Sequence, residues 1–431
     1  MSEQFSPNET SRRSFLKNST AAVVGGSLAA SLGTSRMAHA ASDETIKVAL
    51  IGCGGRGSGA AINAMRADEN IKLTVLADAF EDRVERGKNT LKKPLGDKYA
   101  VTDDNCFFGF DAYKSVMMTD VDVVLLATPP HFRPAHLAAC IDAGKHVFCE
   151  KPVAVDGPGV RSVLETAKKA KEKDLSIVSG LCWRYDHGVR ETMKRIFDGA
   201  IGDIVAIQEN YLTGTLWHRG RKPEWSEMEY QMRNWLYFTW LSGDHIVEQH
   251  IHSLDKALWL MNDKPPTKCF GLGGREMRTD EKWGHGYDHF SVCYEWDNGV
   301  KTFAYTRQMG KCFNNVDDYI LGSKGQAAVL QHSIKSEGKE EWKYKGPKPS
   351  MYDVEHKELF AGIRSGNHIN NGDYMSYSTL MAIMGREACY TGLQVTCDQI
   401  LNSEHVLGPK EYEWGDIEVP EVAQPGVTKL A

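Results

Sequence analysis

Hydrophobic positions follow two different rhythms along the chain. As far as about residue 180 they come in short, nearly unbroken runs: 46–51 (apolar but for Lys47), 71–77, 121–127, 146–149 and 175–179. Runs of that length with little alternation predict strands buried on both faces, as in a parallel sheet. Stretches able to form helices lie between them, one able to start at Pro134 and another over about 158–173. This alternation predicts a doubly wound parallel sheet, an α/β Rossmann domain over residues 45–180 with ligands at the carboxyl ends of its strands. Thr128-Pro129-Pro130-His131 and Glu150-Lys151-Pro152 sit at two such ends.

Past residue 180 the rhythm changes. A helix at 188–197 and a strand at 204–212 precede alternating strands at 267–272, 290–296, 300–307, 318–322 and 326–331, with Asp297-Asn298-Gly299 as a hairpin turn. Strand following strand predicts an α+β domain over 181–400 with a mainly antiparallel open sheet, one face needing a cover of helices or a second subunit. Across 244–262 the spacing predicts one helix, capped by Ser242 or Asp244, with Val247, Ile251, Leu254, Leu258 and Met261 as its apolar stripe. His245, Glu248, His252 and Asp255 form a second stripe beside it. That stripe is either a solvated polar face or a pair, Glu248 and His252, projecting into a cleft. Its spacing matches no metal signature and no metal is expected. Residues 338–350 read as an exposed strand and turn, and 401–431 as a surface-running tail.

The first run empties into Gly52, Gly54 and Gly57, a G-x-G-x-x-G between strand and helix. The first glycine serves the tight turn, the second the approach of backbone to a pyrophosphate, and the third close packing of helix on strand. The second run ends at Asp78, about 20 residues on, where a carboxylate suits an adenosine ribose. It would repel a 2′-phosphate, so NAD is favoured over NADP. Gly55 and Arg56 complete the loop, and Arg56 could reach phosphate oxygens.

Composition narrows the setting. A net charge of −6 offers no basic footprint for nucleic acid. Ser11-Arg12-Arg13-Ser14-Phe15-Leu16-Lys17, a mildly apolar run at 21–32 and Ala38-His39-Ala40 read as a twin-arginine signal over 1–40. Cleavage after Ala40 would leave no membrane span and a periplasmic or otherwise extracytoplasmic protein, exported already folded by the twin-arginine machinery. Of the 10 cysteines, Cys53, Cys140 and Cys149 fall in buried elements and no C-x-x-C occurs, so most read as core thiols.

The glycine loop, Ala127-Thr128-Pro129-Pro130-His131, Glu150-Lys151-Pro152 and Glu248-x-x-x-His252-x-x-Asp255 together resemble the glucose-fructose oxidoreductase, inositol dehydrogenase and rhizopine-catabolism family, Gfo/Idh/MocA. The resemblance runs from Ile46 to near Cys397. It implies that Lys151 reaches the reacting hydroxyl and that His252 takes its proton, with Glu248 in place of the family's aspartate and His250 in place of a small residue. It also implies a cofactor site of Gly52, Gly54, Gly55, Arg56, Gly57, Asp78, Thr128, Pro129, His131, Glu150 and Lys151, and a homodimer or homotetramer paired through the open sheet. A histidine titrating near neutrality suits proton removal from a carbinol, and a lysine suits developing alkoxide charge.

An aromatic insertion at 211–240 holds Trp217, Trp225, Trp235, Tyr237 and Trp240, rings that can stack on sugar C–H faces, near His218, Arg219 and Arg233. Trp183, Arg184, Trp240 and Asp255 are the candidate substrate residues. The expected function is an NAD(P)-dependent oxidoreductase acting on a carbinol of a sugar, cyclitol or sugar derivative, with tightly bound NAD recycled in place because an exported enzyme meets no NAD pool. A redox-neutral NAD-dependent glycoside hydrolase is the first alternative and a non-catalytic sugar- or nucleotide-binding protein the second.

Overall fold

The computed structural model describes residues 44–430; the segment 1–40, read above as a twin-arginine signal, lies outside the described residues. Six strands, β1 (Ile46–Ile51), β2 (Ile71–Asp78), β3 (Cys106–Phe108), β4 (Val123–Leu126), β5 (His146–Cys149) and β6 (Ile177–Ser179), form a sheet in the order β3-β2-β1-β4-β5-β6. Every neighbouring pair is parallel. The order reverses between β1 and β4, so a crevice opens beyond their carboxyl ends. The hydrophobic pattern does not predict β3: with only three residues, none fully buried, it offers no apolar run.

Successive side chains of β1 feed two cores. Ile46, Val48 and Leu50 pack with Ala60, Ala61 and Ala64 of α1 (Gly55–Ala67), whereas Ala49 and Ile51 share a core with Val160, Val163 and Ala167 of α2 (Gly157–Glu172). Burial on both faces is why these strands read as continuous apolar runs.

The second sheet has nine strands: β7 (Ile204–Thr213), β8 (Lys268–Gly274), β9 (His289–Glu295), β10 (Lys301–Gln308), β11 (Asn315–Gly322), β12 (Gly325–Ala328), β13 (Ser333–Ser336), β14 (Trp342–Lys343) and β15 (Val395–Thr396). Their order is β14-β13-β12-β11-β7-β10-β9-β8-β15. All pairs are antiparallel except β7 with β10. On one face a row crosses Phe270, Cys293, Phe303, Gln208 and Tyr319 in register. Phe270 and Phe303 in that row, and Leu272 beside it (78 % exposed), stay open to solvent within a single chain.

Four further helices matter to the site: α3 (Glu227–Arg233) in the insertion, α4 (His245–Glu248), α5 (Ile251–Leu260), and the long α7 (Gly372–Thr391), preceded by α6 (Met351–Ser365). No helix is predicted from sequence over α6 and α7. α7 packs against α2, α5 and β8 and is buried on nearly every side, so it lacks the polar stripe that marks a surface helix. α6 lies on α1, with Arg364 paired to Asp68 at 3.1 Å and Asn63 bonded to Asp353 at 2.6 Å. The chain therefore returns to the nucleotide domain after completing the second sheet.

The single helix expected over 244–262 is interrupted at Gln249 and His250, between α4 and α5. Asp244, at φ 70°, starts α4 and accepts hydrogen bonds from His245 N, Tyr287 N and the Tyr390 hydroxyl at 2.6–2.7 Å. Burial pushes its carboxyl up, but the His245 ring beside it, the positive charge of Arg278 and the Tyr390 hydroxyl outweigh this and hold it at about 2. The tail does more than run along the surface. Leu407 N donates to Asp156, Met228 N to the Gly415 carbonyl, and Gly426 N to the Thr391 carbonyl, so residues 407–426 strap both domains. Among the described residues no helix is long and apolar enough to cross a membrane.

Candidate active site

At the end of β1 the chain turns through Gly52 (φ 102°); a Cβ there would lie 2.6 Å from the Ala127 carbonyl carbon. At Gly57 it would lie 1.8 Å from the Gly52 carbonyl oxygen. Gly54 and Gly55 face open space. No side chain caps α1, whose first N–H groups are left to meet an anion. A turn that only glycine fits, an open side and an uncapped helix start together suit a pyrophosphate.

The cavity beyond this loop has a volume of about 380 Å³, and Gly54, Asp78, Thr128 and Pro129 are among its lining residues. Asp78 accepts hydrogen bonds from Cys53 N at 2.7 Å and Phe80 N at 3.1 Å, which orient its carboxylate, while burial pushes its pKa up. The lining also includes His136, which sequence reasoning missed; it is stacked 4.2 Å from Tyr113 and held neutral by burial, its pKa down to about 3. His131, expected at the cofactor, is instead outside the lining. It lies 2.7 Å from the Tyr412 hydroxyl, edge-on to Trp240, because the tail crosses there. Arg56 borders the cavity, but its guanidinium is turned to Glu150 and Glu355 and lies over the Tyr352 ring, so its charge is already matched by carboxylates rather than free for phosphate. Glu150, 3 % exposed, is paired with Arg56 and is not among the residues lining the cavity.

Lys151 leaves the end of β5 and meets α4 from the other domain. Its Nζ donates to the Glu248 carbonyl at 2.5 Å and to Glu248 Oε1 at 2.8 Å, with the lysine side chain 11 % exposed. Gln249 donates to the other Glu248 oxygen and accepts from the Tyr211 hydroxyl at 3.2 Å, so the acid is held from both sides. His252 begins the next helix. Its Nδ1 is buried without a partner, and its ring is kept neutral, well below the usual histidine range, by burial and then by the positive charges of Lys151, Lys256 and Arg56. Lys256 Nζ donates to the His252 carbonyl at 2.6 Å and pairs with buried Asp318 at 3.0 Å, anchoring this turn to the sheet. His250 is fully buried, toward the Tyr211 ring. The arrangement places a cation, a neutral imidazole and a carboxylate together at the carboxyl end of β5.

The candidate substrate residues are largely absorbed by structure. Arg184 Nε lies 3.0 and 2.9 Å from the two Asp255 carboxylate oxygens, its guanidinium 3.8 Å from the Tyr374 ring centroid, and Ser378 donates to Asp255 at 2.7 Å. This buried ion pair ties residues 182–185 to α5, with Tyr374 and Ser378 of α7 closing around it, and neither residue lines the cavity beside the glycine loop. Trp240 is buried with its indole N–H on Gln231 at 2.7 Å. Trp183 packs on the core beside Lys256. Arg184→Met leaves the Asp255 charge buried and unmatched, and is expected to cost about 3–5 kcal/mol of stability. Urea unfolding would register that loss, and a changed substrate KM in folded enzyme with unaltered stability would overturn the structural role. Of the insertion, whose rings were read as able to stack on a sugar, Trp217, Arg219, Arg233 and Trp235 line the same cavity as Asp78.

Residues 46–178 match the model of GFO_IDH_MocA, described as the oxidoreductase family, NAD-binding Rossmann fold. A 2,7-anhydro-N-acetylneuraminate hydratase of Escherichia coli is 26% identical over 212 residues, 48% of this chain and 51% of that protein. An inositol 2-dehydrogenase of Rhizobium meliloti is 25% identical over 287 residues, 66% and 76% of the two chains. The matched stretch thus spans about half of the first relative and about three quarters of the second. The crystal structure of scyllo-inositol dehydrogenase from Lactobacillus casei with bound NAD(H) and scyllo-inositol superposes with a TM-score of 0.62 at 18% identity, covering 82% of this chain and all of that one. That likeness is one of fold.

Proposed function

Because this chain belongs to the Gfo/Idh/MocA oxidoreductase family and carries its NAD-binding Rossmann fold, we propose that it oxidises a carbinol of a sugar, cyclitol or sugar derivative on an NAD that stays bound and is recycled in place. The observation that carries this reading is the Lys151–Glu248 contact at the carboxyl end of β5, beside a histidine held neutral. Bound NAD supplies the hydride acceptor. Neutral His252 takes the hydroxyl proton, and Lys151 stabilises the alkoxide character that develops as the proton leaves. Glu248 keeps the ammonium in place, and Tyr211 with Gln249 keeps Glu248 in place. The inositol 2-dehydrogenase relative supports a polyhydroxylated substrate. Export through the twin-arginine route and self-association through the uncovered sheet face belong to the same proposal.

A second reading, net addition of water or release of a leaving group after transient oxidation of a neighbouring carbon, is favoured by the likeness to the hydratase, since hydration changes no oxidation state overall. One experiment separates the two. The purified full chain is denatured and the released nucleotide identified by mass; intact protein is then incubated with cyclitols, aldoses and glycosides without added NAD. About one NAD per chain, with a keto product formed only when a second, reducible sugar is present, is the expected result. Net hydration or hydrolysis without keto product would select the second reading, and absence of nucleotide with no bound-cofactor reduction by any substrate would sink both.

A further inference from the structure

The cavity beside the glycine loop is closed from two sides. Asp78, Arg83 and Phe110 come from the nucleotide domain, while Trp217, Arg219 and Trp235 come from the insertion that follows β7. This second wall is firmly placed. The Tyr237 hydroxyl donates to the carbonyls of Leu216 (3.0 Å) and Trp217 (2.9 Å), His218 Nε2 lies 2.9 Å from the Lys282 carbonyl, and Arg219 N donates to Asn234 at 2.9 Å. Arg233, on α3, then ties the insertion across the gap, pairing with Asp82 at 2.9 Å over the Phe80 ring.

Arg219 stands apart from Arg233. Among the described residues its guanidinium has no ion pair; it lies over the Trp217 ring at 4.8 Å, with Arg83, Arg86 and Arg233 adding positive charge nearby. A planar cation backed by an indole, facing the end of the slot that Asp78 marks as the ribose end, is chemistry suited to the face of an adenine ring. Asp78 disfavours a 2′-phosphate at the same corner.

We propose that Trp217, Arg219 and Trp235, with Arg83 opposite, form the adenine roof of the nucleotide site, so that the adenosine half of NAD is held between the two domains and leaves slowly. This rests on the NAD reading above and adds to it a cofactor-binding role for the insertion. Trp217 and the Arg219 side chain are exposed enough for truncation to leave the fold intact.

The test uses the full chain, stripped of nucleotide and titrated with 5′-AMP, ADP-ribose and nicotinamide mononucleotide, and the loaded chain followed for release of labelled NAD. Trp217→Ala and Arg219→Ala are each expected to weaken 5′-AMP and ADP-ribose by about 10–100-fold and to speed NAD release comparably, with nicotinamide mononucleotide unchanged. Arg219→Lys, which keeps the charge and loses the plane, should behave like alanine. Unchanged 5′-AMP affinity in the alanine variants would overturn the roof, as would equal loss of nicotinamide mononucleotide. Tighter binding of adenosine 2′,5′-bisphosphate than of 5′-AMP, with rescue by lysine, would reassign the arginine to a phosphate. If the unaltered chain bound none of the three probes, the NAD reading itself would fail.

Discussion

Lys151→Met is expected to lower turnover about 1,000-fold while NAD remains bound. Methionine matches the length of lysine and removes only the charge that Glu248 grips from both its carbonyl and its carboxylate. If the ammonium acts on the alkoxide of the transition state, kcat and kcat/KM fall together, by an amount like that seen when an oxyanion-stabilising donor is lost. Nucleotide content should hold, since Lys151 is not among the residues lining the cavity proposed for the adenosine half. A second readout follows from electrostatics. Burial is the largest cause of the depressed His252 pKa, and Lys151 is the first of the positive charges that add to it. Removing that charge raises the histidine pKa. In the oxidative direction the base must be neutral, so the acid limb of the pH–rate profile moves to higher pH in the variant. Retained turnover with an unmoved acid limb would make Lys151 a structural residue.

Gly57→Ala is expected to destabilise the protein by about 3 kcal/mol or more and to abolish nucleotide retention. The added methyl would meet the Gly52 carbonyl oxygen at 1.8 Å and the Ala127 Cβ at 3.1 Å. The first is backbone held at the end of β1, so relief requires α1 to move off the sheet, at the high end of overpacking costs. Moving α1 also moves the N–H groups that meet the pyrophosphate. Gly54→Ala supplies the contrast. Its methyl enters open space, so the melting temperature should hold while NAD affinity falls, because that space is where the phosphates approach. Equal melting losses in both variants would show that the two glycines serve packing alone.

Much of the site was legible because it depends on neighbours in the chain. Strand, turn and helix follow one another directly around Gly52 and Gly57, and Asp78 ends the next strand, so spacing alone located them. Lys151 and Glu248 were each visible as members of short motifs, though their mutual contact was not. Arg184 and Asp255 misled for an instructive reason: charged residues near a candidate catalytic helix look like ligands until a partner on a distant segment, here Tyr374 and Ser378 of α7, is seen to enclose them. α7 itself carried no warning, since a helix buried on all sides has no amphipathic period.

By itself the sequence determined what local geometry and burial patterns can encode: the parallel strands, the glycine turn, the acid that ends β2 and the residue types proposed for proton and hydride chemistry. Only the tertiary structure decided that the aromatic insertion lines the cavity beside the glycine loop, that the tail straps both domains, and that the polar stripe splits. In that split Glu248 meets Lys151, His252 stands beside a buried lysine, and Asp255 is locked to Arg184. The reason is physical: a side chain's charge and shape are written in its residue type, but its partner is set by which remote surfaces the two cores bring together.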